Sequence, residues 1–529
     1  MKKLLSIVLL AIITTITACG TDRIFTNPAG VLQRADYTEE SHEEYDGYED
    51  IISQIQQRPP APIDSSPQTL RLSMRHPLTL NPLLNEDVTV ARVLRLLFEP
   101  LIVLDENLRP TSHLAEIELS TDLYSAIVAI RSDAFWSDGR PVSSDDLIFS
   151  VETLRNAPDH AIYRNNVENI ASITRLNARN VQIYFHVASA CVGIDLGFPI
   201  VPRHVYQGLG VAACFNPVGN GSFLFESYTP MRYVRLVQNT QSFRQIAQIS
   251  EVEVIFLPNH MSELYAFDQG RIDAIYMPLT EWARHHSVRQ PHFEMFPAMY
   301  FEFIGFNFHN EIFDNLQMRQ GIARAFDACE AVRAVYLNHA VRAVSPIHPY
   351  SFIAGDVRQL EYDPTRASIL LNAVPVEHVL EIIVNDDNPQ RVGIANRLAE
   401  SLNDIGLSAE VAALPYIDYF LRLENGEFDL FIGGMNLALV PDVAFFFHER
   451  GYFLVEDEVL EAAFAATTFF FNEAAYLRYM EQFQQVFADR LPVISLAFRH
   501  SAVLTGMGVT QNVAPAPDNI FGWVNLWRV

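Results

Sequence analysis

The stretch from Leu380 to Gly434 constrains this chain more than any other. It reads as strand "VLEIIV", helix "PQRVGIANRLAESLNDIG", strand "SAEVAAL", helix "YIDYFLRLENG" and strand "FDLFIGG". The two longer segments repeat their apolar residues at helical spacing, and the three short ones are mostly apolar runs of strand length. A β-α-β-α-β succession demands a parallel sheet covered by helices, because each crossover must return the chain to the same end of the sheet. The fold class is therefore expected to be α/β.

Upstream the style changes. "TLRLSM" (69–74) alternates apolar and polar residues, as a half-buried strand should. "VTVARVLRLLFEPL" sets Val90, Val93, Leu94, Leu97 and Leu101 on one helical face. Strands are expected at "SAIVAIR", "NVQIYFHV", "YVRLVQN", "EVEVIFL" and "IDAIYMP", with helices at "DDLIFSVETLRN" and "SELYAFDQG". One long helix is expected over "NLQMRQGIARAFDACEAVRAVYL". Residues 69–305 thus form a strand-rich, mixed first lobe, 306–495 a regular α/β second lobe, and 496–529 a return to the first. Such a path crosses between lobes twice, and a cleft with hinge closure is its natural ligand site.

Residues 1–18 have the marks of a lipoprotein signal peptide. Lys2 and Lys3 precede an apolar run, Leu4 to Ile16, and "ITAC" ends in Cys19. The run is shorter than the roughly 20 residues that span a bilayer. Cys19 is therefore the expected lipidation site, placing the protein outside the cytoplasm on the cell membrane. Residues 19–68 read as a tether: "DYTEESHEEYDGYED" carries eight acids and no Lys or Arg, and Pro and Ser follow. The formal net charge of −26 argues against nucleic-acid binding, since little is available to neutralise phosphates. Cys191 and Cys214 are either a disulfide pair or, with Cys329, free thiols; no metal-ligand spacing is present.

Four acids crowd "FWSDGRPVSSDDLIFSVETL" (135–154). Asp138-Gly139 signals a turn, Ser143 or Ser144 an N-cap, and Asp145 and Asp146 suit the positive end of the helix. Neighbours in one turn point apart, so the stretch lacks the facing carboxylates of a hydrolase. Catalytic motifs are absent elsewhere, and "GNGS" (219–222) precedes a strand rather than a helix, which makes it a tight turn. No catalytic residue, cofactor or metal is expected.

These stretches carry a resemblance. "LNPLLNEDVTVARVLRLLFEPLIVLDENLRPTSHLAE", the acidic stretch just described, "VGNGSFLFESY", "YAFDQGRIDAIYM", "FIGFNFHNEIFDNLQMRQGIARAFD", "SPIHPYSF", "YDPTRASILLNA" and "LPVISLAF" follow in order. Together, from Thr69 onward, they resemble the oligopeptide- and dipeptide-binding proteins of ABC importers, family 5 of the extracellular solute-binding proteins. The resemblance implies a two-lobed periplasmic-binding-protein-like fold, type II, of the large peptide-binding cluster. It also implies a monomer that traps a peptide or peptide-like ligand and delivers it to ABC permease subunits. A sensory lipoprotein binding a peptide pheromone is the alternative, and a secreted hydrolase a remote one.

One segment departs from the family. Peptide-binding relatives carry a Trp and then an Asp that pairs with the peptide's ammonium group. Aligning on Pro441 puts Gly434 at the Trp position, and the Asp position on or near Leu437. A slip of one or two residues would move this assignment. Substrate contacts are expected from Asn85 and Glu86 in an early loop, Asn307 and Phe308 at the hinge exit, His348 and Tyr350 in "SPIHPYSF", and Met435 and Asn436 in the departing loop. "FFFH" (445–448) is a further cleft candidate, or core.

Overall fold

The structure is a computed structural model that describes residues 69–188, 191–210, 215–278, 291–439, 455–467, 472–506, 508–509, 513–522 and 524–528. The expected signal peptide, Cys19 and the tether lie outside these residues, as do Cys214 and "FFFH".

The chain begins with β1 (Thr69–Met74), α1 (Val88–Leu94), β2 (Ile102–Leu104), β3 (Pro110–Ser112), β4 (Ala115–Leu119), β5 (Ser125–Ile130) and α2 (Ser144–Arg155). It continues with β6 (Ile170–Arg175), β7 (Asn180–Phe185), α3 (Val192–Asp195), α4 (Arg203–Tyr206), β8 (Phe223–Thr229), β9 (Tyr233–Gln238) and β10 (Glu251–Phe256). Helix α5 (His260–Asp268) and β11 (Ala274–Pro278) follow. Strands β1, β10, β9 and β8 make one four-stranded sheet, and β4, β5, β7 and β6 another. Both feed one large core containing Leu72, Phe98, Trp136, Val181 and Phe223.

Two expectations here sharpen. Helix α1 stops at Leu94 rather than running to Leu101. The carbonyls of Leu96 and Leu97 are claimed by the "GNGS" turn, whose Asn220, Gly221 and Phe223 amides donate to them. A Cβ on Gly221 would lie 2.3 Å from the Leu96 oxygen, so only glycine permits that approach. At α2, Ser143 caps as expected, its amide donating to the Asp146 carboxylate at 2.9 Å. Asp146 also receives the Trp136 indole N–H at 3.2 Å and the Arg203 amide at 2.8 Å. Asp146 is therefore a structural acid, as Asp145 is in pairing with Arg175 and Asp138 with His204.

The second half runs β12 (His292–Phe306), α6 (Leu316–Ala325), α7 (Ala328–Tyr336), β13 (Ala340–Arg342), α8 (Pro364–Asn372), β14 (Leu380–Asn385) and α9 (Pro389–Asp404). Then come β15 (Ala409–Leu414), α10 (Tyr416–Asn425), β16 (Leu430–Asn436), α11 (Glu458–Ala466), α12 (Glu473–Arg490) and β17 (Val493–Thr505). The single long helix expected from "NLQM" divides into α6 and α7. Asp327 caps the second, accepting from the Glu330 amide at 2.9 Å, so the chain turns there. Strand β14 pairs in parallel with both β15 and β16, as the β-α-β-α-β reading requires.

One sheet spans both halves in the order β11-β17-β12-β16-β14-β15. Residues 292–297 of β12 pair with the end of β17, while 301–305 pair with its beginning; the register shifts between Pro297 and Phe301. Phe296 and Val503 belong to the first core, whereas Ile304, Phe306, Ile494 and Leu496 belong to the second. The two lobes therefore share β12 and β17, and the change of core falls in the irregular stretch between Pro297 and Phe301.

Candidate functional site

Strands β14 and β16 are parallel; with Ile382 opposite Leu430, β14 ends at Asn385 level with Gly433, and β16 runs three residues further to Asn436. Ligands of open α/β sheets sit beyond the carboxyl ends of the strands. Here that end meets the lobe crossing, because Tyr300, Phe301 and Glu302 of β12 pair with Asn436, Met435 and Gly434. Period-two alternation puts Tyr300 and Glu302 on the same face. Gly434, opposite Glu302, leaves that face open: a Cβ there would lie 2.5 Å from both Glu302 Oε2 and Arg391 Nη2.

A charged cluster fills this space. Glu302 has no solvent exposure. Arg391, in the first turn of α9, donates from Nε to Glu302 Oε2 at 2.9 Å, from Nη1 to Asn385 Oδ1 at 3.2 Å and from Nη2 to the Tyr300 hydroxyl at 3.1 Å. Arg499 reaches Glu302 Oε1 with Nε at 3.3 Å and lies over the Tyr300 ring, 3.6 Å from its centroid. Tyr300 donates its hydroxyl to the Gly434 carbonyl at 3.1 Å. Burial alone would pull the Arg391 guanidinium down, but Glu302, with Tyr300 and Tyr419, reverses this and holds it charged. Within the buried cluster two guanidiniums face one carboxylate.

The eight sequence candidates fare differently. Asn436 is exposed at the end of β16 and adjoins the cluster. Met435 is its neighbour but points into core, 3% exposed. Tyr350 is exposed. His348 is buried; its Nδ1 accepts from the Tyr350 amide at 3.1 Å, and its ring centroid lies 4.7 Å from that of Phe498. Burial, reinforced by His500, pushes the His348 imidazole down to about 4. Asn307 is not presented to a ligand: its Nδ2 donates to the carbonyls of Gly426 and Phe428, at 2.9 and 2.6 Å. Phe308 packs against both cores of the second lobe, under Arg319. Asn85 is likewise consumed locally, 3% exposed with its amide on the Asp87 carbonyl at 2.7 Å. Glu86 beside it is exposed. Leu437 is buried in core, its amide donating to Met299 O at 2.8 Å.

Glu302, Arg391, Arg499 and Tyr300 escaped the sequence reading. Glu302 and Arg499 did leave a signal, a charged residue inside an otherwise apolar strand, in "MYFEFIGF" and again in "LAFRH"; Arg391 and Tyr300 left none.

The comparisons with known proteins agree on the family. Residues 109–451 match the family model of bacterial extracellular solute-binding proteins, family 5. The chain is similar to the oligopeptide-binding protein AppA of Bacillus subtilis, 22% identical over 71% of this chain and 75% of that protein. It is also similar to heme-binding protein A of Haemophilus influenzae, 20% identical over 56% of this chain and 59% of that one. Among solved structures, the substrate-binding protein CtaP of Listeria monocytogenes superposes with a TM-score of 0.73 at 16% identity, over 87% of this chain and 98% of that one. With a two-lobed α/β fold and a family model matched over more than half its length, this chain belongs to family 5 of the bacterial extracellular solute-binding proteins.

Proposed function

We propose that the chain is the ligand-capturing component of an ABC importer, holding a peptide or peptide-like molecule between its lobes and presenting it to a membrane permease. Proteins of this family bind solutes rather than transform them, and the chain is not an enzyme. The observation that carries the reading is the site at the lobe crossing, where the carboxyl ends of β14 and β16 meet two strands shared by both lobes. A ligand seated there touches both lobes, so its binding energy favours their closure. Its relatives include proteins named for oligopeptides and for heme, and a peptide is the ligand whose extended backbone strand ends suit best. Asn436, Tyr350 and Glu86 are the exposed members of the expected contact set; a lipid on Cys19 would hold the monomer at the membrane.

Native mass spectrometry of the full chain, released from its host membrane in mild detergent, tests this. Co-purifying peptides support it. A porphyrin in their place, or persistent failure to bind any member of a random peptide pool, would sink it. Incorporation of labelled fatty acid, lost in Cys19→Ser, checks the anchor.

A further inference from the structure

We propose that the ligand's anchoring group is an anion, a carboxylate, received by Arg499 with Arg391 behind it. This rests on the binding reading above and specifies its chemistry. Arg391 spends its guanidinium on Glu302, Asn385 and Tyr300. Arg499 differs. Its Nε faces Glu302 and its Cζ sits over the Tyr300 ring, while among the described residues neither Nη nitrogen has a hydrogen-bond partner. Its side chain keeps 12% exposure, whereas Glu302 has none. The two Nη donors of a guanidinium form the fork that a carboxylate accepts in bidentate fashion.

Among the described residues one further acid adjoins the cluster, the exposed Asp387, which accepts from Asn385 Nδ2 and meets Arg391 through that side chain. Also facing the cluster are the hydroxyls of Tyr336 and Tyr419, whose titration burial pushes up, and that of Tyr300, which donates to the Gly434 carbonyl. His500, next along β17, is kept neutral by burial and by His339. An excess guanidinium inside a protein is costly until an anion meets it. On the alignment through Pro441, the position where an acid would hold a peptide's ammonium group falls on or near Leu437, which is buried, and Gly434 before it makes room for the cluster. The polarity of recognition is thereby inverted: this receptor grips the acid end of its ligand and leaves the amine end unanchored.

The test uses four pools of three- to five-residue alanine peptides, with free or acetylated amines and free or amidated carboxyl ends, titrated against the full chain by calorimetry. The free acids are expected to bind about tenfold or more tightly than the amides, the worth of one charge-assisted bond. Acetylation should change affinity little. Arg499→Gln should abolish the acid preference, and Arg499→Lys should restore part of it. Equal binding of acids and amides overturns the proposal, as does an acid preference that survives Arg499→Gln in a variant with a native unfolding midpoint. If amides and acids alike fail to bind, the peptide reading itself has failed and the proposal falls with it.

Discussion

Glu302 is a carboxylate without solvent, held only because two guanidiniums face it. Glu302→Gln leaves both cations buried and uncompensated, which should cost roughly 3–5 kcal/mol. The urea midpoint should fall accordingly; an unchanged midpoint would mean the cluster is not charged as described. His348 makes a separate statement through pH. Its folded value of about 4 lies below the ordinary imidazole range, so the unfolded chain binds the proton more readily. Stability from this residue is complete above pH 6.5 and is lost as pH falls toward 4, on the order of 3 kcal/mol at most. His348→Asn keeps an acceptor for the Tyr350 amide and should flatten that part of the pH profile. A profile as steep in the variant as in the parent would assign the loss elsewhere.

At the scale of elements, much of the fold was legible because local pattern and tertiary role agree. Strands β14 and β16 are mostly apolar and buried along nearly all their length, and α9 shows one buried stripe, so periodicity alone placed them. The missed break between α6 and α7 has a local cause, the Asp327 cap, that an uninterrupted helical pattern concealed. The site was less legible. Glu302, Arg391 and Arg499 come from a strand, a helix and another strand far apart in the chain, and only the sheet order unites them. Asn307 illustrates the converse: a polar residue at a hinge exit reads as a ligand contact, yet it clamps the turn between α10 and β16. Asn307→Ala should orphan two backbone carbonyls at a cost of about 1–3 kcal/mol. Hydrogen exchange should quicken across 426–430 and stay unchanged in the sheet formed by β1 and β8–β10; uniform quickening would contradict a local clamp.

Across the whole molecule, the lobes touch at a second place besides the shared strands. Leu123, Cys191 and Ile194 of the first half form one buried cluster with Ile347, Ile353, Tyr476 and Met480 of the second. Around it, Arg109 meets Glu473 at 2.7 Å, and the Phe352 amide donates to the Asn107 carbonyl at 2.8 Å. Opening by bending at the crossing must break these contacts, so they favour the closed arrangement and lower the cost of closing on a ligand. The ion pair is half-exposed and worth little, whereas the apolar cluster excludes water and dominates. Met480→Ala should remove about 2–5 kcal/mol of buried packing, chiefly from the closed form. The unliganded protein should then show a larger radius of gyration in solution scattering, and ligand should bind more weakly while still restoring the compact form at saturation. A variant that loses stability without changing its radius or its affinity would show that this contact holds the lobes together in every state, and that it takes no part in closure.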